Sequence, residues 1–393
     1  MTLAYPLTSS SWDEAELAAI NRVVASQRFT MGPEVKAFEA MFARMFGCEH
    51  AVMVNSGSSA NLLAIAGLVF HPDKLLEPGD EVIVPAVSWG TTYFPVHQLG
   101  LMLTFVDVDR HTLNIDLDLL EAAITPRTRA VFTVNLLGNP CDFERLGAIC
   151  KAHDLVLIED NCESMGATFN GRQAGTFGIC GTFSTFFSHH ISTMEGGVIA
   201  TDDERLCHVL QSLRAHGWLR DQPAHSHLKI DVDPFMELFR FVLPGYNVRP
   251  LEMQGAIGQA QLAKLPEMIQ ARRQNADAFQ SAFGNLADIL IQQETGQSSW
   301  FGFAMTLQRR LAGRRRELVK RLQGDGIECR PIVAGNFTAN PVMAHLNHRI
   351  GSRLTAAGQI DRDGLFVGNH HYPIASQIHR AREIVGELLA ELA

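Results

Sequence analysis

Two adjacent histidines in Ser184-Thr185-Phe186-Phe187-Ser188-His189-His190-Ile191-Ser192-Thr193-Met194-Glu195-Gly196-Gly197 are the first residues whose types suggest chemistry. An imidazole titrates at about 6.5 and can exchange protons at neutral pH. A metal pair is a second reading, but neighbours in an extended chain point to opposite sides and no third ligand follows at suitable spacing. Incidental loop histidines are a third. Three further stretches carry polar groups where an α/β sheet would expose them. Asn55-Ser56-Gly57-Ser58-Ser59-Ala60 stands between a strand-like run and an apolar helix. Its free N–H groups and hydroxyls could cup a phosphate, or simply cap the helix. Val156-Leu157-Ile158-Glu159-Asp160-Asn161-Cys162-Glu163 is an apolar strand ending in acidic residues, suited to pairing a protonated ring nitrogen or to a solvated strand end. Ala86-Val87-Ser88-Trp89 places an indole after a strand, to stack on a flat ring or to fill a core.

The elements that would position these groups alternate. Helical spacing is present over 13–26 and 35–46. Strand-like runs lie at 51–54, 81–84, 104–108, 130–135 and 156–159, with helices near 91–99, 116–124 and 142–153 between them. That order implies parallel strands with right-handed crossovers. Runs at 180–187 and 197–201 read as two more strands, and 203–215 as a helix. The stretch 219–235 reads as a loop. Residues 250–284 read as one long helix, or two broken near Leu265-Pro266. The tail carries strands at 299–307 and 327–332 and helices at 313–323 and 376–391. The expected architecture is α/β. A large domain over 1–285 holds a mainly parallel sheet, and a smaller α/β domain spans 286–393.

Composition narrows the function. The chain has 393 residues, 46% apolar and 19% charged, enough for two or three packed domains. A net charge of −9 argues against nucleic-acid binding. No apolar run reaches the roughly 18 residues of a membrane helix, and Met1–Pro6 shows no signal-peptide pattern. The seven cysteines are scattered, as expected of reduced thiols in a cytoplasmic protein, and no metal site is expected. Only six lysines occur: Lys36, Lys74, Lys151, Lys229, Lys264 and Lys320.

In this order and spacing the motifs resemble the sugar-nucleotide aminotransferases and dehydratases of the DegT/DnrJ/EryC/StrS family. These are pyridoxal phosphate (PLP) proteins of fold type I, the aspartate aminotransferase fold. The resemblance rests on Ser56–Ala60, Val84–Trp89, Glu159–Glu163, Ser184–Gly197 and Pro244-Gly245-Tyr246-Asn247-Val248-Arg249-Pro250, and covers nearly the whole chain. It implies that Gly57, Ser58 and Ser184 hold the cofactor phosphate and that Trp89 stacks on the pyridine ring. Asp160 would pair with the ring nitrogen, and Glu163 would sit near the ring hydroxyl. Asn247 would reach the phosphate across a homodimer interface, giving a composite site. Substrate contacts are expected from Ser188, His216, Arg220, Arg330 and His370.

One position departs from the aminotransferase pattern. Five residues after Ser184, where the family places its Schiff-base lysine, stands His189, and no lysine lies between Lys151 and Lys229. The cofactor therefore cannot be anchored covalently. This substitution is similar to that of the histidine-bearing 3-dehydratases of the family, as are Phe29–Gly32, Asn135–Pro140, Ser298–Phe303, Cys329–Val333 and Phe366–His370. The resemblance implies a lyase that uses pyridoxamine phosphate (PMP) to remove the C3 hydroxyl of a nucleotide-linked 4-keto-6-deoxy sugar. GDP-4-keto-6-deoxy-D-mannose is the expected substrate, His189 the base, and L-glutamate the donor that regenerates PMP from PLP. No iron–sulfur reductase partner is expected, since no cysteine cluster is present. An aminotransferase and a non-catalytic PMP- or sugar-nucleotide-binding protein are the competing readings.

Overall fold

The computed structural model describes residues 3–229 and 233–392. Chain order gives strands β1 (His50–Val54), β2 (Glu81–Pro85), β3 (Met102–Val106), β4 (Thr128–Val134) and β5 (Val156–Asp160). A short hairpin, β6 (Thr168–Phe169) and β7 (Arg172–Gln173), precedes β8 (Cys180–Ser184) and β9 (Gly197–Thr201). Then follow β10 (Ile289–Ile291), β11 (Gly302–Leu307), β12 (Cys329–Arg330), β13 (His348–Ile350) and β14 (Gly364–Gly368). The large sheet has the order β1-β9-β8-β5-β4-β2-β3-β13, and within it β9 alone runs against its neighbours.

Helices α1 (Glu14–Ser26), α2 (Pro33–Phe46), α3 (Gly57–Val69), α4 (Gly90–Gln98), α5 (Leu117–Ala122), α6 (Phe143–Ala152) and α7 (Glu204–Arg214) pack around this sheet. The later helices are α8 (Pro234–Glu237), α9 (Glu252–Phe283), α10 (Arg315–Gly324), α11 (Thr355–Asp363) and α12 (Ala375–Glu391). Strand side chains alternate between the two faces, and both faces are apolar, as a covered parallel sheet requires. Val82, Val84, Phe132 and Ile158 pack with α3 and α7 on one side. On the other, Ile83, Val131 and Leu157 meet α5 and α6, while Met53, Phe183 and Val198 meet α2 and α9.

A second sheet, β10-β11-β14-β12, is antiparallel and packs on α10 and α12. Chain beyond residue 285 builds this sheet, but it also returns to the large one through β13, so the expected division at 285 is crossed by a strand. Several elements differ from the sequence reading. The helix 252–283 is unbroken: Pro266 lies inside it, and Leu265, Met268 and Ile269 bury a continuous apolar face against α2 and the sheet. That packing outweighs the hydrogen bond a proline removes. The run 327–332 pairs with β14 only at Cys329–Arg330, because Pro331 has no N–H to donate, while Ile327 bridges to Tyr5. Short strands at 289–291 and 348–350 escaped detection, being too brief to show a period, and 364–368 was missed because it is buried throughout and shows no alternation. Within the expected loop 219–235, residues 230–232 lie outside the described residues, as do Met1 and Thr2 of the expected leaderless start.

The start of α2 is capped from a distance. Gly32 precedes it and offers no side chain, so the buried Glu252 carboxylate accepts from the N–H groups of Gly32 (2.6 Å), Glu34 (2.7 Å) and Val35 (3.3 Å). Three orphan donors thus meet one anion at a helix N-terminus. Glu252→Ala strands them in a buried place. It should cost roughly 2–3 kcal/mol of stability, read as a lowered denaturant midpoint.

Candidate active site

Parallel strands bring their C-terminal ends to one edge, where the loops that follow can surround a ligand. A cavity of about 380 Å³ opens there. Its floor is Asp160, the last residue of β5. Asp160 accepts from Asn61 Nδ2 (2.8 Å), Thr92 Oγ1 (2.7 Å) and the N–H of Cys162 (3.1 Å). Those donors are themselves held. Thr182 Oγ1 donates to Asn61 Oδ1 at 2.6 Å, and Ser88 Oγ lies 2.9 Å from Thr92 Oγ1. All four of these side chains are buried. Three donors converge on Asp160 and none of its oxygens has to donate.

The wall beside Asp160 is the start of α3. Ser56 caps the helix through its Oγ, which accepts from the Ser59 N–H at 3.1 Å. The N–H groups of Gly57 and Ser58 make no hydrogen bond among the described residues. Gly57 allows β8 to come close: a Cβ here would lie 2.7 Å from the Ser184 Cβ and 3.0 Å from its Oγ. Two free N–H groups and the Ser184 hydroxyl therefore face one space, and they suit a phosphate. Across the cavity Trp89, at the N-cap of α4, is 60% exposed, a flat face with no aromatic stacking partner among the described residues.

His189 completes the ring of groups. Its Nδ1 lies 2.8 Å from the Cys162 carbonyl. A carbonyl only accepts, so Nδ1 carries the hydrogen and Nε2 holds the free lone pair. Nε2 has no bond within the described residues, and the ring lines the cavity. The Phe301 ring lies beside it, 5.1 Å between centres. Burial pushes the His189 pKa down to about 4, opposed by the Cys162 carbonyl and aided by the charge of Arg330. His190 is turned away: it is buried, outside the cavity, with Nε2 3.2 Å from the Ser299 carbonyl. Glu163 lies in the same cavity, accepts from the Leu137 N–H at 3.2 Å, and is pushed up to about 7 by burial.

Of the residues singled out from sequence, Gly57, Ser58, Trp89, Asp160, Glu163, Ser184, Ser188, His189 and Arg330 line this one cavity. Four do not. His370 is buried elsewhere, with its ring nitrogens engaged by Ser9 Oγ (2.8 Å) and the Pro6 carbonyl (2.9 Å); it pins the N-terminal segment rather than facing a ligand. His216 packs on Trp218, and Arg220 lies over the Trp218 and Phe239 rings. Asn247 pairs with Ala215 in a β-bridge and accepts from Arg249 Nε. Sequence reasoning missed Asn61, Thr92 and Thr182. Asn61 is one helical turn after Gly57, and that spacing could have marked it.

Compared with known proteins, residues 10–380 match the DegT/DnrJ/EryC1/StrS aminotransferase family. The chain is 56% identical over 377 residues to GDP-4-keto-6-deoxy-D-mannose 3-dehydratase of Yersinia pseudotuberculosis, covering 95% of this chain and 96% of that protein. The solved structure of the Escherichia coli GDP-4-keto-6-deoxy-D-mannose-3-dehydratase with bound hydrated PLP superposes with a TM-score of 0.96. It is 52% identical and covers 98% of this chain and 100% of that one. A structure of GDP-4-keto-6-deoxymannose-3-dehydratase with a trapped PLP-glutamate geminal diamine gives a TM-score of 0.95 at 52% identity, over 97% of this chain and 99% of that one.

The protonation state of His189 can be measured. Histidine-labelled NMR of the cofactor-free protein should find the Nδ1–H form at pH 7 and protonation only near pH 4. An Nε2–H form, or a midpoint at the ordinary value, would contradict the geometry. An unfolded chain protonates this ring at its ordinary 6.5, before the folded one does. Stability should therefore fall as pH drops from 6.5 to 4, and His189→Asn should remove that part of the loss.

Proposed function

The chain belongs to the DegT/DnrJ/EryC1/StrS aminotransferase family, and from that premise we propose that it is a PMP-dependent 3-dehydratase acting on GDP-4-keto-6-deoxy-D-mannose. The observation that carries this reading is an imidazole, with Nε2 free, facing a cavity that no lysine lines. A family member with a base but no amine at this place can move protons and cannot tether its cofactor. The 56% and 52% identities to named 3-dehydratases, each over almost the whole chain, support the same substrate.

The cavity fits the cofactor in its chemistry. The free N–H groups of Gly57 and Ser58, with the Ser184 hydroxyl, would hold the phosphate. The exposed Trp89 would cover one ring face, and Asp160 would accept from the ring nitrogen. When bound, PMP supplies an amine for the C4 ketone and a ring that takes up electrons, with L-glutamate renewing the amine. His189 Nε2 would take the proton from the cofactor's methylene carbon and return one to the C3 oxygen as it departs. Its Nδ1–H bond to Cys162 holds the ring at one angle for both steps. Glu163, near neutrality, stands as a second proton store. The reaction balances: keto sugar plus glutamate gives the 4-keto-3,6-dideoxy sugar, 2-oxoglutarate and ammonia.

We further propose a homodimer in which Asn247 reaches the partner's cavity. The segment leading to Asn247 exposes Phe235, Phe239 and Phe241, and Leu251 just after it is exposed too. Large exposed apolar side chains in one stretch of chain favour a protein partner over water.

His189→Asn should keep PMP binding, whose contacts come from other residues, and lose ammonia release by roughly 10²–10⁴ with the GDP-linked keto sugar and glutamate. Undiminished turnover, or a stable 4-amino sugar as product, would count against dehydration by this residue. For the dimer, inactive His189→Asn and Asn247→Asp chains should restore activity when mixed. Random pairing gives each mixed dimer one intact site, roughly a quarter of all sites. No recovery would mean that each chain builds its site alone.

A further inference from the structure

A second cluster of ligand-bearing groups lies outside the cavity, where α7 meets the segment 219–229. Glu204 and His208 are one turn apart and share a face of α7. His225 comes from the segment beyond. One ligand atom from each of the three lies within 4.8 Å of the others, and Glu204 Oε1 is 3.1 Å from His225 Nε2. The middle residue is the unusual one. His208 is 4% exposed, its side chain makes no hydrogen bond among the described residues, and its Nδ1 is shut away from solvent. A buried imidazole left without a partner calls for one.

We propose that Glu204, His208 and His225 bind a divalent cation of the zinc type, which ties the segment 219–229 to α7. Two imidazoles and one carboxylate are a zinc donor set, whereas calcium and magnesium take oxygens. Donors about 2.0–2.2 Å from zinc stand roughly 3.4 Å apart at tetrahedral angles. Glu204 and His225 are exposed and free to close from 4.8 Å. His227, with its ring centre 5.6 Å from that of His208, lies within reach as a further donor. The bound segment follows Trp218 and includes Arg220, so the cation would fix the chain that leads toward Asn247. The third ligand, His225, comes from another segment well beyond the Glu204–His208 pair, and for that reason no compact motif marked a metal in the sequence.

The test uses full-length, tag-free, metal-stripped protein. Equilibrium dialysis with zinc should find one tight ion per chain, and cobalt(II) should show the visible absorption of a low-coordinate nitrogen and oxygen site. His225→Ala and Glu204→Gln, both at exposed side chains and so able to fold, should each weaken binding roughly 10-fold or more. Zinc should slow amide exchange over 219–229 in the parent protein and not in His225→Ala. The chain has 16 histidines, so ions held elsewhere are told apart by these variants. Absence of tight binding, or equal affinity in His225→Ala, overturns the site.

Discussion

One buried carboxylate organises the working edge of this molecule. Asp160 ends β5, and three separate pieces of chain donate to it: α3 through Asn61, α4 through Thr92, and the turn at Cys162 through its own N–H. The carbonyl of that same Cys162 then holds His189. The phosphate-type cup, the exposed indole and the free imidazole are therefore hung from one acceptor. A buried anion with three donors is costly to disturb in part, because each lost donor leaves an uncompensated group. The network thus sets positions that loops alone would leave loose.

Burial acts on the two titrating groups of the cavity in opposite senses. It disfavours charge on both, so the histidine falls to about 4 and Glu163 rises to about 7. At neutral pH the site holds an unprotonated base beside a carboxyl near its midpoint. Environments that separate acid from base in this way are how one pocket carries both roles. The buried Arg272 belongs to the same economy of charge. Its Nη1 bonds the carbonyls of Trp300, Phe301 and Asn369, and with no carboxylate partner among the described residues it adds positive potential near both histidines.

The site was legible in sequence wherever a side chain sits at a strand end or helix start. Gly57, Ser58, Trp89, Asp160 and Ser184 are of this kind, because short local patterns fix where they point. His216, Arg220, Asn247 and His370 were harder. They lie on irregular chain whose path depends on contacts distant in sequence, as when His370 meets Pro6 and Ser9. The supporting layer was invisible for another reason. Asn61, Thr92 and Thr182 are ordinary polar residues on apolar elements, and only three-dimensional convergence on Asp160 gives them meaning. In the fold, the long β-α repeats announced themselves, whereas strands of two or three residues, and the wholly buried β14 between its two glycines, did not.

Strand β13 has a consequence for how the protein is made. The edge of the large sheet at β3 carries Leu103 and Phe105, and it stays open until residues 348–350 arrive to pair with it. During synthesis some 240 residues therefore leave the ribosome between the edge and its cover, by subtraction of 106 from 348. An uncovered apolar edge is a template for pairing with other chains. The nascent protein thus passes through a long interval of adhesiveness that ends only near the last tenth of translation.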